Sequence, residues 1–134
     1  MVSKRILVVD DDNAILRLLL ALFRHESYEV DTAAGGKEAL SKIALTLYDV
    51  IVLDLMMPEV SGLDVLRSLE ARIPLVKCVV ILSAASSSDF ATSINPNVFA
   101  ALTKPFDNGA LITAVRECIE SNCGASAPAL PKTA

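Results

Sequence analysis

Ile6-Leu7-Val8-Val9-Asp10-Asp11-Asp12 sets four apolar residues directly against three acids. The apolar half is a continuous run, not an alternating one, and so reads as a strand covered on both faces. The acidic half is too costly to bury without partners. The acids therefore mark the strand's end, and clustered charge there points to a site. A second run, Val50-Ile51-Val52-Leu53-Asp54, closes in the same way. Carboxylates at the ends of two neighbouring strands would form the oxygen-rich pocket that suits a hard cation such as Mg²⁺. Asp12 alone is read more simply, as the N-cap of the next helix. That role leaves Asp10, Asp11 and Asp54 unexplained as a group.

Outward from these two runs, strands and helices alternate. Strand-like segments fall at 5–9, 28–32, 49–53, 77–82 and 98–102. Helical periodicity occupies 13–25, with Ile15, Leu18, Leu19 and Leu22 on one face, and 37–46, with Ala39, Leu40 and Ile43 inward. Gly35-Gly36 breaks the second strand, while Pro58 and Gly62 punctuate a loop before a helix at 63–72. The last helix spans 107–121, capped by Asp107, with Leu111, Val115, Cys118 and Ile119 facing in. Between 86 and 97 there is room for only a short helix, stopped by Pro96. Residues 124–134 are rich in Ala, Pro and Ser and read as a tail or linker stub. Parallel strands joined by helical crossovers imply an α/β sheet with helices on both faces. The order 2-1-3-4-5 would place the first and third strands side by side at the switch point, bringing Asp10 and Asp11 beside Asp54.

Composition narrows the function. The chain has 134 residues, enough for one domain, and is 53% hydrophobic with a net charge of −4. No basic stripe supports direct nucleic-acid binding, and no apolar stretch reaches the length of a membrane span. The first five residues lead straight into a strand, which suggests no signal peptide and a cytoplasmic setting. Cys78, Cys118 and Cys123 are odd in number and lack metal-ligand spacing, so they read as reduced thiols packed as small apolar groups. His25, the one histidine, sits at a helix C-terminus and complements its dipole.

Two further residues fall at strand ends: Ser83 after Val79-Val80-Ile81-Leu82, and Lys104 just past the fifth strand. Either alone would pass for an ordinary hydroxyl or a solvated lysine. Together with the acids they suit phosphoryl transfer to a carboxylate. Asp54 would be the nucleophile. Asp10 and Asp11 would hold Mg²⁺, Lys104 would neutralise a phosphoryl oxygen, and Ser83 would donate a hydrogen bond to another.

At this point the chain resembles the receiver domain of two-component response regulators. The resemblance rests on Ile6 to Asp11, on Val52-Leu53-Asp54-Leu55-Met56-Met57-Pro58, on Ser61-Gly62, on Ile81-Leu82-Ser83-Ala84 and on Leu102-Thr103-Lys104-Pro105-Phe106. It covers roughly residues 4 to 121. It implies a flavodoxin-like (βα)5 fold, with a receiver over residues 1–122 and a tail over 123–134. It implies that Asp54 accepts a phosphoryl group from a histidine of a kinase or phosphotransfer protein. Asp11 and Asp54 would touch Mg²⁺, Asp10 would act through a coordinated water, and the Met56 carbonyl would be a further ligand. Ser83 and Lys104 would form the switch, the Lys104–Pro105 bond would be cis, and the signal would pass to a downstream protein or a C-terminal output domain. Such a domain catalyses its own phosphotransfer and dephosphorylation only.

Two departures stand out. The family commonly carries Tyr or Phe three residues before the lysine, where this chain has Ala101, with Phe99 two residues earlier. Asn95-Pro96-Asn97 replaces the usual small pair before the fifth strand. Two other functions compete. A receiver-like interaction module would not need the full acidic, hydroxyl and lysine set. A hydrolase working through an aspartyl phosphate would carry a second acid two residues after the nucleophile, where this chain has Met56.

Overall fold

The computed structural model describes residues 3–70, 79–83 and 98–126. Five strands are present: β1 (Arg5–Val9), β2 (Glu29–Ala33), β3 (Val50–Asp54), β4 (Val79–Ser83) and β5 (Val98–Thr103). They form one parallel sheet, as the alternation of elements implied, in the order β2-β1-β3-β4-β5 expected from the family resemblance. The described helices are α1 (Asn13–His25), α2 (Gly36–Leu45), α3 (Gly62–Glu70) and α4 (Asn108–Ser126). The short helix expected between 86 and 97 lies outside the described residues.

Each face of the sheet has its own core. Leu7, Val9, Ile51, Leu53 and Ile81 pack under Ala39 and Ile43 of α2 and Val65, Leu66 and Leu69 of α3. Ile6, Val8, Val50, Val52, Val80 and Leu82 pack under Leu16, Leu19 and Phe23 of α1 and Leu111, Val115, Cys118 and Ile119 of α4. Successive residues of β1, β3 and β4 thus serve opposite cores, which is why these strands read as unbroken apolar runs.

Local signals set the helix ends. Asp12 caps α1, its Oδ1 accepting from the amides of Ala14 (2.9 Å) and Ile15 (3.4 Å), while Arg24 and His25 occupy the last turn. Asp107 Oδ2 accepts from the Ala110 amide at 2.8 Å at the start of α4. Ser61 and Asp64 form a reciprocal capping pair at α3, the Ser61 amide donating to Asp64 Oδ2 (3.0 Å) and the Asp64 amide to Ser61 Oγ (3.3 Å). α4 continues through Gly124 to Ser126, past the expected end at 121. One glycine costs a helix only about 1 kcal/mol and does not by itself stop it.

Two expectations need correcting. The leucine-rich α1 offers two apolar stripes; the sheet buries Leu16, Leu19 and Phe23, with Ile15 and Leu22 partly buried against the same core, so of the expected face only Leu18 turns away. Phe23 is fully buried and dominates that choice, leaving Leu18 44% exposed. Cys118 is disulfide-bonded, not a free thiol. An odd count of cysteines still allows one pair, so the count could not exclude a bridge.

β5 also departs from simple alternation. Val79 pairs with Val98, but Val80 pairs with Ala100, so Phe99 is the extra residue of a bulge. Phe99 is 41% exposed, whereas Ala101 packs against the core under α2 and α3. The ring therefore does not fill the interior position beside Ala101.

Candidate functional site

The strand register assembles the acids. Val9 of β1 lies opposite Leu53 of β3, so the next residues, Asp10 and Asp54, emerge side by side at the carboxyl edge of the sheet. Oxygen atoms of Asp10, Asp11 and Asp54 lie within 4.8 Å of one another. Asp10 and Asp54 are only 1% and 4% exposed, while Asp11 faces solvent.

Short backbone contacts orient the two buried carboxylates. Asp10 Oδ1 accepts from the Asp12 amide at 2.9 Å, and Asp54 Oδ1 accepts from the Met56 amide at 3.0 Å. Each second oxygen turns to Lys104. Its Nζ donates to Asp10 Oδ2 at 2.8 Å and lies 3.4 Å from Asp54 Oδ2. Lys104 is placed by its own amide, which donates to the Ser83 carbonyl at 2.9 Å, and the peptide linking it to Pro105 is cis. It is thus a counter-ion and not a solvated loop lysine.

The electrostatics follow from burial and pairing. Burial pushes the Asp54 carboxyl above the ordinary carboxylate range, with the charge on Asp10 adding to the rise. The Met56 amide and Lys104 oppose this shift. For Lys104, burial works against the charged form, but the hydrogen bond and charge of Asp10, then those of Asp54, more than offset it and raise its pKa.

Ser83 completes the site in an unusual state. It ends β4, one residue beyond the Leu82 that pairs with Asp54, and it is fully buried. Its Oγ is the one buried side-chain polar atom without a hydrogen-bond partner among the described residues. An unpaired buried hydroxyl is costly to keep, which points to a partner that arrives from outside.

The loop from Leu55 to Ser61 frames the opening. Its Gly62 end folds back so that the Gly62 amide donates to the Leu55 carbonyl at 3.1 Å. A Cβ at Gly62 would lie 2.3 Å from the Asp54 carbonyl oxygen, so only glycine fits this turn. Met57 is buried, while Met56 exposes its side chain and leaves only its backbone to serve the site. Ile15, Leu18, Lys104, Pro105, Phe106 and Asn108 line an apolar groove of about 460 Å³. Sequence reasoning missed this groove because it assigned Leu18 to the core.

Three carboxylate oxygens around one small volume, with one lysine as their cation, are a donor set that fits a hard divalent ion. The residues present therefore suit Mg²⁺.

Comparisons with known proteins agree with this arrangement. A family model described as the response regulator receiver domain matches residues 6–116. Response regulator ArlR of Staphylococcus aureus is 30% identical over 112 residues, which cover 84% of this chain and 51% of ArlR. The chain thus spans about half the length of that relative. A CheY-like response regulator receiver domain protein from Methanospirillum hungatei superposes with a TM-score of 0.84 at 28% identity, covering 92% of this chain and 98% of the other. The response regulator TrrA from Thermotoga maritima, solved in complex with Mg²⁺-BeF, is 35% identical with a TM-score of 0.75, covering 86% and 98%. Sequence motifs, sheet order and these likenesses converge: the chain belongs to the family of response regulator receiver domains of two-component systems.

Proposed function

We propose that this receiver accepts a phosphoryl group on Asp54 from a phosphohistidine of a partner kinase or phosphotransfer protein. The observation that carries the reading is the buried Asp10–Asp54 pair beside Lys104 and the unpartnered Ser83 hydroxyl. An Asp54 carboxylate oxygen attacks phosphorus, the bond from phosphorus to the donor's imidazole nitrogen breaks, and an acyl phosphate forms. The imidazole leaves with the electron pair of that bond. Asp10, Asp11, Asp54 and the Met56 carbonyl would hold Mg²⁺, which offsets charge on the transferring group when bound. The Mg²⁺-BeF complex of the similar TrrA supports a metal at such a site.

The remaining roles follow from position. Lys104 turns from its carboxylates toward a phosphoryl oxygen as a flexible point charge. The Ser83 hydroxyl donates to another oxygen, gaining the partner it lacks. A ligand shifts an equilibrium only by its differential interaction with two states. Ala101 has no ring to relocate, so the response along β5 is small. The apolar groove shares Lys104 with the site, and its Ile15, Leu18 and Phe106 wall gives a protein donor a surface to rest on.

Residues 1–122 form the receiver in this reading, and 123–134 a tail or linker stub whose first residues continue α4. The output passes to a protein target or a C-terminal output domain, without direct nucleic-acid contact, and no outside substrate is turned over. Among the described residues no helix is long and apolar enough to cross a membrane. The reading places the chain in the cytoplasm, and the bridged Cys118 is the observation against that compartment.

The test is incubation with Mg²⁺ and acetyl phosphate, followed by intact-mass measurement. One added phosphoryl group is expected, lost in Asp54→Asn and on chelating the metal. A protein that gains no phosphoryl mass from acetyl phosphate or any phosphohistidine donor would instead be the interaction module.

A further inference from the structure

α2 takes no direct part in the acidic site, yet its first residue touches the loop that frames it. Gly36 is buried, and a Cβ there would lie 2.3 Å from the Val60 carbonyl oxygen, 2.7 Å from Val60 Cγ1 and 2.9 Å from the Val60 carbonyl carbon. Two of these atoms are backbone, so no side-chain rotation relieves the overlap. Neighbouring Gly35 meets nothing within 4 Å and has an extended backbone (φ −172°) open to any residue. Of the paired glycines, only the second is required by its surroundings.

Val60 belongs to a loop tied at both ends. The Met56 amide is tied to Asp54 Oδ1 at 3.0 Å, and the Gly62 amide to the Leu55 carbonyl at 3.1 Å. Between them Glu59 adopts a left-handed backbone (φ 64°), which a residue with a side chain disfavours by about 1–2 kcal/mol. A turn of that kind persists only where its surroundings hold it. Val60, the next residue, packs against the core under α2 and α3 and abuts Gly36.

We infer that Gly36 is a positioning residue for the metal and phosphoryl site. By admitting the Val60 backbone against α2, it fixes the path of the loop and so the place of the Met56 backbone beside Asp54. The inference rests on the receiver reading above for what the loop serves, but the contact itself is independent of it.

Gly36→Ala tests this, with Gly35→Ala and Ile43→Val as comparisons. Ile43 is a buried core residue of α2, so its truncation lowers stability without touching the loop. Mg²⁺ affinity is read from amide chemical shifts, and loop closure from hydrogen exchange at Gly62 in the metal-free protein. Gly36→Ala is expected to weaken Mg²⁺ binding about tenfold, the scale of losing an outer-shell support, and to speed exchange at Gly62. Gly35→Ala and Ile43→Val are expected to keep both near the wild-type values. A folded Gly36→Ala with unchanged affinity and exchange overturns the inference, as does Ile43→Val producing the same losses. Should Gly36→Ala fail to fold, Val60→Ala removes the Cγ1 part of the contact and leaves the backbone part in place. It is expected to quicken Gly62 exchange while keeping most of the Mg²⁺ affinity; unchanged exchange, or a loss of affinity as large as that expected for Gly36→Ala, overturns the inference. Wild-type protein that binds no Mg²⁺ overturns the receiver reading instead, while the exchange measurement still decides the role of Gly36.

Discussion

At the amino end of β1, Arg5 gathers Glu29, Asp31 and Asp49; at the carboxyl end, Asp10 gathers Asp54 and Lys104. Both clusters set several carboxylates around one cation. In the first, the charged groups reach solvent, with Arg5 39% and Glu29 53% exposed. Its bonds interlock: Arg5 to Glu29 at 2.6 Å, the Arg5 amide to Asp49 Oδ2 at 2.8 Å, and Tyr48 Oη to Asp31 Oδ2 at 2.7 Å. In the second, two carboxylates are buried, burial raises the Asp54 pKa, and the Ser83 hydroxyl has no partner among the described residues. One cluster ties strands together. The other holds charge in a state that a ligand would relieve, and this separates a site from a structural clasp.

The sharpest way to break that contrast is to remove each cation. Lys104→Ala leaves two buried carboxylates unneutralised, a loss of about 2–3 kcal/mol, toward the low end for broken buried pairs because the lysine is partly exposed. Millimolar Mg²⁺ should restore part of it, since a ligand that binds only the native state stabilises it. Arg5→Ala should cost less than about 1 kcal/mol, as exposed pairs do, and should be indifferent to Mg²⁺. Urea denaturation with and without Mg²⁺ checks both. Equal losses, or a Lys104→Ala protein that Mg²⁺ leaves unchanged, would erase the distinction. A rim lysine would have been dispensable for stability, and the sequence gives no sign that Lys104 is otherwise, because its burial depends on Asp10, 94 positions away.

The same limit explains what was and was not legible. Asp10, Asp54 and Ser83 could be placed at strand ends because apolar runs lead directly into them. Alternating elements implied parallel strands and the family resemblance their order, so the juxtaposition of Asp10 and Asp54 was readable in the sequence. The buried stripe of α1 was not, because leucines lie on both candidate faces and only packing against the sheet selects Leu16, Leu19 and Phe23. The contact of Gly36 with Val60 was also hidden. Gly35-Gly36 signals a break, but which glycine is constrained depends on a loop two elements later. Strand ends moved by a residue at β2, β3 and β5, since pairing fixes them: Asp54 counts within β3 because it pairs with Leu82, and Thr103 within β5 because it pairs with Ser83.

A second test uses pH. The Asp54 pKa is raised in the folded protein, so the native state holds its proton more tightly than the unfolded chain. The stability this contributes is fully present below the ordinary value of 3.8 and is lost as pH rises through the folded pKa. Without divalent cations, Asp54→Asn should therefore be more stable than the wild type at pH 7, by about 1 kcal/mol. The gain should shrink toward zero as pH falls to the ordinary carboxylate value. Taking the difference between the two proteins cancels the other acids. A constant gain across the pH range, or none, would mean that burial and Asp10 do not strain the charge on Asp54.

The clasp itself carries the last test. Tyr48 is buried, and its pKa is pushed up to about 12, first by burial and then by its hydrogen bond to Asp31. The raised value means that the folded state keeps the phenol proton after the unfolded chain has released it. The stability this contributes is whole below pH 10 and is lost as pH climbs toward 12. Tyr48→Phe removes the hydroxyl that bonds Asp31 while leaving Asp31 its contact with Arg5 at 3.4 Å. The cost at pH 7 should be about 1 kcal/mol, the worth of an ordinary hydrogen bond. The variant should also lose less stability than the wild type between pH 10 and 12. Mg²⁺ should shift both proteins equally, because the clasp and the acidic site occupy opposite ends of β1. Mg²⁺ stabilising the variant by a different amount would show that the two ends of the strand are coupled, and the clasp would then be part of the switch.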